Sequence, residues 1–135
     1  IAPPNPGEGP FDSVIVAWNG SFQAARAVEY ALPFLAKAKE ITILVAGSTA
    51  DDVGAPYLAR NLGRHGIKTT IDAIDPGAVS ARARGRALLD YTHGKGSSLL
   101  VMGAYGRGQV MSFLGMGGAT AKVISSCRVP LLMAH

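Results

Sequence analysis

Four short apolar runs constrain what this chain can fold into: Val14–Ala17, Ile41–Ala46, Leu99–Met102 and Val129–Ala134. Each is nearly continuous in Val, Ile, Leu, Met and Ala and lacks the polar–apolar alternation of a strand with one wet face, so each suits a strand covered on both sides. Helical patterns separate them. Ala24, Val28, Ala31, Leu32 and Leu35 recur at helical spacing between Ala24 and Ala38, with Pro33 expected to kink or end that helix. Pro56–His65 reads as a helix closed by Gly66 in the C′ position, and Ala78–His93 as a helix with Val79, Ala83, Ala87 and Tyr91 facing inward and Gly94 ending it. A last helix is expected from about Gly118 to Ser126. The more polar Thr69–Ile74 sets Ile71 and Asp72 on opposite faces and is expected as a strand at a sheet edge.

The resulting β-α-β-α-β-α-β-α-β order implies an α/β domain with an open, mostly parallel sheet, right-handed crossovers and helices on both faces. Ligands of such sheets collect at the carboxyl ends of the strands, where the strand order reverses. The loops there are Ala17–Ser21, Gly47–Gly54, Asp75–Ala78 and Gly103–Gly117.

A length of 135 residues supports one domain with a substantial core. With 48% hydrophobic residues but no apolar run near the roughly 20 residues of a membrane-spanning helix, no membrane association is expected. The single Cys127 rules out an internal disulfide, and His65, His93 and His135 lack metal-ligand spacing, so the expected setting is cytoplasmic. The net charge of +4 is spread along the chain, which argues against a nucleic-acid partner. Residues 1–10, with four prolines and two glycines, read as a linker or tail preceding a domain over 11–135.

The run Leu99–Met102 ends in Gly103-Ala104-Tyr105-Gly106-Arg107-Gly108, and Gly117-Gly118-Ala119-Thr120 follow at the head of the last helical pattern. Glycines let a backbone turn tightly and approach a ligand, and a helix that starts there aims unpaired N–H groups and a positive dipole end at an anion. The segment is not a P-loop, because no Gly-Lys-Ser/Thr closes it, and Met111 stands where a dinucleotide fingerprint needs its third glycine. Its spacing is Gly103, two residues, Gly106, ten residues, Gly117-Gly118.

Over Phe11–His135 this pattern resembles the universal stress protein family, whose nucleotide-binding members carry Gly, two residues, Gly, about nine residues, Gly and a small or hydroxyl residue. Val14-Ile15-Val16-Ala17-Trp18-Asn19-Gly20-Ser21 is similar to the family's opening Val-Ala-x-Asp-Gly-Ser, and Arg128–Met133 to its closing Pro-Val-Leu-Val-Val strand. The resemblance implies a five-stranded parallel sheet in order 3-2-1-4-5, Rossmann-like and akin to the adenine nucleotide alpha hydrolases. It also implies pairing through the last strand, either as a homodimer or with a preceding tandem domain. An adenine nucleotide, ATP with or without Mg²⁺, would set its base near Ala17, Asn19 and Val45, with Met102 and Gly103 beneath it. Its phosphates would lie against Gly106, Gly117, Gly118, Ala119 and Thr120. Asn19 stands in place of the family's Asp and Gly118 in place of a frequent Ser, and the second glycine gap is one residue longer, or shorter if Gly115 is the matching glycine.

Other residues divide between ligand and structural uses. Arg107 could neutralise phosphate charge or be a solvated surface arginine, and Arg82, Arg84 and Arg86 read as a solvated helix face. Asp51-Asp52 suit the start of a helix better than a Mg²⁺ site, Trp18 suits packing against a helix, and Cys127 suits a packed thiol. Neither proposed ligand loop supplies a general base, so at most slow ATP hydrolysis is expected of a nucleotide-binding stress sensor or regulator. The competing readings are a family member that pairs with partners without nucleotide, and an adenylating or ATP-hydrolysing enzyme.

Overall fold

In the computed structural model, described over residues 11–46, 50–74, 81–104 and 123–135, the apolar runs form a single parallel sheet. Its strands are β1 (Ser13–Ala17), β2 (Glu40–Ala46), β3 (Thr70–Ile74), β4 (Leu99–Gly103) and β5 (Leu131–Ala134), in the order β3-β2-β1-β4-β5. The expected five-stranded architecture and its 3-2-1-4-5 order are both present. Helices α1 (Phe22–Leu35), α2 (Ala55–Arg64) and α3 (Ala81–Gly94) alternate with the strands, and residues 123–126 are helical before β5.

Burial follows each strand's place in the sheet. β1, β2 and β4 lie in the interior of the order and are buried almost throughout, which is why they carry no polar face. β3 is an edge strand and exposes four of its five residues, as its polar sequence anticipates. Side chains alternate between two cores: Val14, Val16, Ile43, Val45, Leu99 and Val101 pack with α1 and α2, while Ile15, Ala17, Leu44, Ala46, Leu100 and Met102 pack with α3 and Val123. Full burial of each Val, Leu, Ile or Met side chain among them contributes about 1.5–3 kcal/mol.

The helices depart from the sequence expectation in places. α1 buries Ala24, Ala27, Val28, Ala31 and Leu35 and leaves Leu32 half-buried at its margin. Pro33 lies inside it, two residues from its end. The inward face of α3 is Leu88, Leu89 and Thr92, not Ala83, Ala87 and Tyr91, which are only half-buried. The i, i+4 pattern chosen from the sequence was one position off the stripe that meets the sheet. Thr92 is tolerated there because its hydroxyl donates to Leu88 O at 2.8 Å. Gly94 is still helical, and the left-handed residue that turns the chain out of α3 is Gly96, at φ +66°. Gly66, at φ +76°, does end α2 as expected.

Main-chain and side-chain bonds close the amino end of the sheet. Lys39 N–H and Glu40 N–H both donate to Asp12 O, and Ser98 Oγ accepts from Ser13 N–H at 3.1 Å while donating to Ser13 O at 2.9 Å. These contacts hold β1 between β2 and β4 and leave the opposite, carboxyl end as the mouth of the fold.

Candidate functional site

At the carboxyl end, β1 runs into the turn Trp18-Asn19-Gly20-Ser21 and then into α1. Asn19 Oδ1 accepts from Ser21 N–H at 3.0 Å, the side-chain turn that Asn and Asp favour. Gly20 follows at φ +75°, and a Cβ there would sit 3.1 Å from Val53 O, so the position suits glycine on both conformational and steric grounds. Ser21 then caps α1, its Oγ accepting from Ala24 N–H at 3.1 Å. Apart from the Val53 contact, every step of this strand–turn–helix junction is encoded within eight consecutive residues.

Trp18 is 8% exposed, and its indole N–H donates to Val53 O at 2.7 Å. The ring is thus a packing element between β1 and the segment leading to α2, in keeping with the structural use expected of it. It borders a groove of about 490 Å³ between α1 and α2, floored by Val28, Leu32, Leu58 and Leu62.

The candidate base-binding residues converge on this end of the sheet but do not share one face. Ala17 pairs with Leu44, Val45 with Ala73, Met102 with Met133 and Gly103 with Ala134. Ala17 and Met102 point into the α3 core and Val45 into the α1–α2 core, all at 4% exposure or less. What they can offer a ligand is therefore their main chain at the strand ends.

Gly103 has a packing function that was not read from the sequence. A Cβ there would lie 2.5 Å from Ala24 N and 2.7 Å from Gln23 C, so the end of β4 touches the backbone of the first turn of α1. Strand parity carried the signal: Gly103 shares a face with Leu99 and Val101, which pack toward α1. The contact brings the exit of β4 beside the turn at Asn19, across the β1–β4 boundary where the crossovers switch from one face of the sheet to the other.

Gly106, Arg107, Gly117, Gly118, Ala119 and Thr120, the proposed phosphate side, lie outside the described residues, as does the side chain of Arg82. Among the described residues no cluster of three or more His, Cys, Asp and Glu side chains could hold a metal ion. Asp51 and Asp52 are exposed, and Gly54 is the N-cap of α2, with no side-chain cap; Asp51 takes part through its carbonyl, which accepts from Gly54 N–H. No helix among the described residues is long and apolar enough to cross a membrane.

Perturbed titratable groups belong to α3 and the chain entering β5. Burial, then the hydrogen bond to Asp72, pushes the Tyr91 hydroxyl up to about 12. Burial, then the Arg128 charge, lowers His93, whose Nε2 accepts from Arg128 N–H at 3.1 Å. Burial raises the Cys127 thiol, which donates to Val129 O at 3.3 Å and is half-buried, the packed cysteine expected.

A parallel 3-2-1-4-5 sheet with its crevice at the β1–β4 boundary defines a Rossmann-like α/β domain. Its fold is that of the universal stress proteins. A universal stress protein from Archaeoglobus fulgidus is 27% identical, with a TM-score of 0.66, the match covering 92% of this chain and 44% of that one. This chain thus spans less than half the length of the Archaeoglobus protein. A universal stress protein solved in complex with cAMP is 18% identical over 94% of this chain and 99% of that one, with a TM-score of 0.63. UspA from Lactobacillus plantarum is 18% identical over 95% of this chain and 100% of that one, with a TM-score of 0.58. No protein-family model and no curated protein matches the chain.

Proposed function

We propose that this domain binds an adenine nucleotide, ATP or a relative, at the carboxyl ends of β1, β2 and β4, and acts as a stress-response sensor or regulator in the cytoplasm. The observation that carries the reading is the close contact of Gly103 with Ala24, which sets the glycine-rich exit of β4 beside the turn at Asn19 in the switch-point crevice. The base lies against the main chain of Ala17, Val45, Met102 and Gly103 and against Asn19. The phosphates take main-chain N–H groups from Gly106, Gly117, Gly118, Ala119 and Thr120, with Arg107 adding positive charge. Any Mg²⁺ is held through the phosphate oxygens. The universal stress protein bound to cAMP supports the assignment of an adenine nucleotide.

The domain pairs through β5 with a second copy or with a preceding tandem domain. Supporting this is an apolar groove of about 460 Å³ along the edge strand, lined by Phe11, Phe34, Leu99, Pro130, Leu132 and Met133. The same groove favours a second reading, a pairing module that works without nucleotide.

Titration with a fluorescent ATP analogue separates the two. Saturable binding that is lost in Gly106→Val and Gly117→Val supports the nucleotide reading. No saturable binding at millimolar ATP with Mg²⁺ overturns it.

A further inference from the structure

One ridge of α1 is aromatic and faces solvent. Phe22, Arg26, Tyr30 and Phe34 follow at i, i+4, i+8 and i+12, and the three rings are 75%, 61% and 41% exposed. They are three of the six exposed large apolar side chains among the described residues, gathered on one helix, where scattered single residues are the norm. The ridge borders the sheet edge on both sides of Tyr30. Arg26 Nη1 donates to His135 O, just past β5, at 2.9 Å, and Phe34 meets Phe11 edge-on at 5.4 Å and lines the groove with Leu132 and Met133. Strand β5 ends the sheet order, and among the described residues only β4 pairs with it, so its outer edge can template another strand.

We propose that this ridge packs on itself: two copies of the chain join β5 to β5 antiparallel about a two-fold axis, and their α1 helices meet across that axis. The proposal rests on the pairing reading above, takes a second copy as the partner and adds α1 to the interface. Under such an axis the ridge is self-complementary. Phe22 falls opposite the partner's Phe34 and Arg26 opposite the partner's Tyr30, each contact made twice, so ring meets ring and guanidinium meets ring. One face of the Arg26 guanidinium lies over Phe22, 5.4 Å from the ring centroid, and the planar group has a second face for a tyrosine. The position of the helix fits as well. Because α1 packs on both β4 and β5, an axis at the outer edge of β5 sets the two helices about two strand spacings apart, roughly 10 Å, close to the separation of packed helices. An i, i+4 ridge packs against its like at about −50°, within the twist that two to three strand steps accumulate. Covering the exposed part of the three rings in both copies buries roughly 700 Å², over half of the area at which stable interfaces begin, and the β5 edge with its groove adds to it.

The test is sedimentation equilibrium of the wild-type chain and surface variants, with thermal melts to verify folding. The expected result is a dimer whose dissociation constant rises about tenfold or more in Tyr30→Lys, which sets an ammonium against the partner's Arg26, and changes little in Tyr30→Phe. Arg26→Ala should weaken the dimer too, and the losses from Arg26→Ala and Tyr30→Ala should fall well short of adding in the double variant; additive losses overturn the contact between these two side chains. Met133→Lys puts a charge on the face of β5 away from α1 and tests the strand by itself. A dimer weakened by Met133→Lys but indifferent to Tyr30→Lys overturns the α1 contact and leaves the β5 pairing standing. The converse result overturns the β5 pairing, and with it this arrangement. A wild type that stays monomeric at about 200 μM overturns both the contact and pairing with a second copy.

Discussion

The α-carbon of Gly103 faces the amide of Ala24 so closely that a single added methyl would sit 2.5 Å from that nitrogen. A strand end and a helix start are thereby locked together through backbone, with no side chain between them to yield. Gly103→Ala must push α1 off β4, and overpacking of this kind costs about 1–3 kcal/mol. Urea denaturation should show the loss without ligand, separating the packing role of Gly103 from any contact with nucleotide.

Ser21 supplies the acceptor for Ala24 N–H in the same first turn. Ser21→Ala should destabilise the domain by about 1 kcal/mol, and Ser21→Asp should retain most of the stability because a carboxylate caps as well and favours the positive end of the helix. Chemical denaturation of the two variants checks the order.

The hydroxyl of Tyr91 donates to Asp72 Oδ2 at 2.7 Å, tying α3 to the edge strand β3. Its folded-state value of about 12 lies above the ordinary tyrosine value of about 10, so the folded chain holds the proton more tightly. The stabilisation is complete below pH 10 and is lost as pH rises through about 12. Tyrosinate absorbance should show a late-titrating component that vanishes in Tyr91→Phe.

His93 is displaced the other way, by burial first and then by Arg128, with Asp90 partly opposing. The folded chain favours the neutral ring, whose Nε2 must be unprotonated to accept from Arg128 N–H. Stability is therefore full above the unfolded value of about 6.5 and declines as pH falls through the lower folded value. Thermal melts between about pH 7 and pH 5 should fall more steeply for the wild type than for His93→Gln.

Sequence alone determined the strands, their alternation with helices, the exposed edge at β3 and the junction from Trp18 to Ser21. These are matters of short-range periodicity and turn chemistry, written within a few consecutive residues. The placement of Ala17, Val45, Met102 and Gly103 at or near strand ends was legible for the same reason. Tertiary structure decided what depends on partners far along the chain. It placed Met102 and Val45 in opposite cores, chose Leu88, Leu89 and Thr92 over the neighbouring stripe of α3, and brought Arg26 Nη1 to His135 O at 2.9 Å across 109 positions. It also made Gly103 a contact point for α1, because the crossovers bring that helix onto β4 more than onto the strand it follows. A local pattern specifies that a face is apolar; only the assembled sheet specifies what meets it.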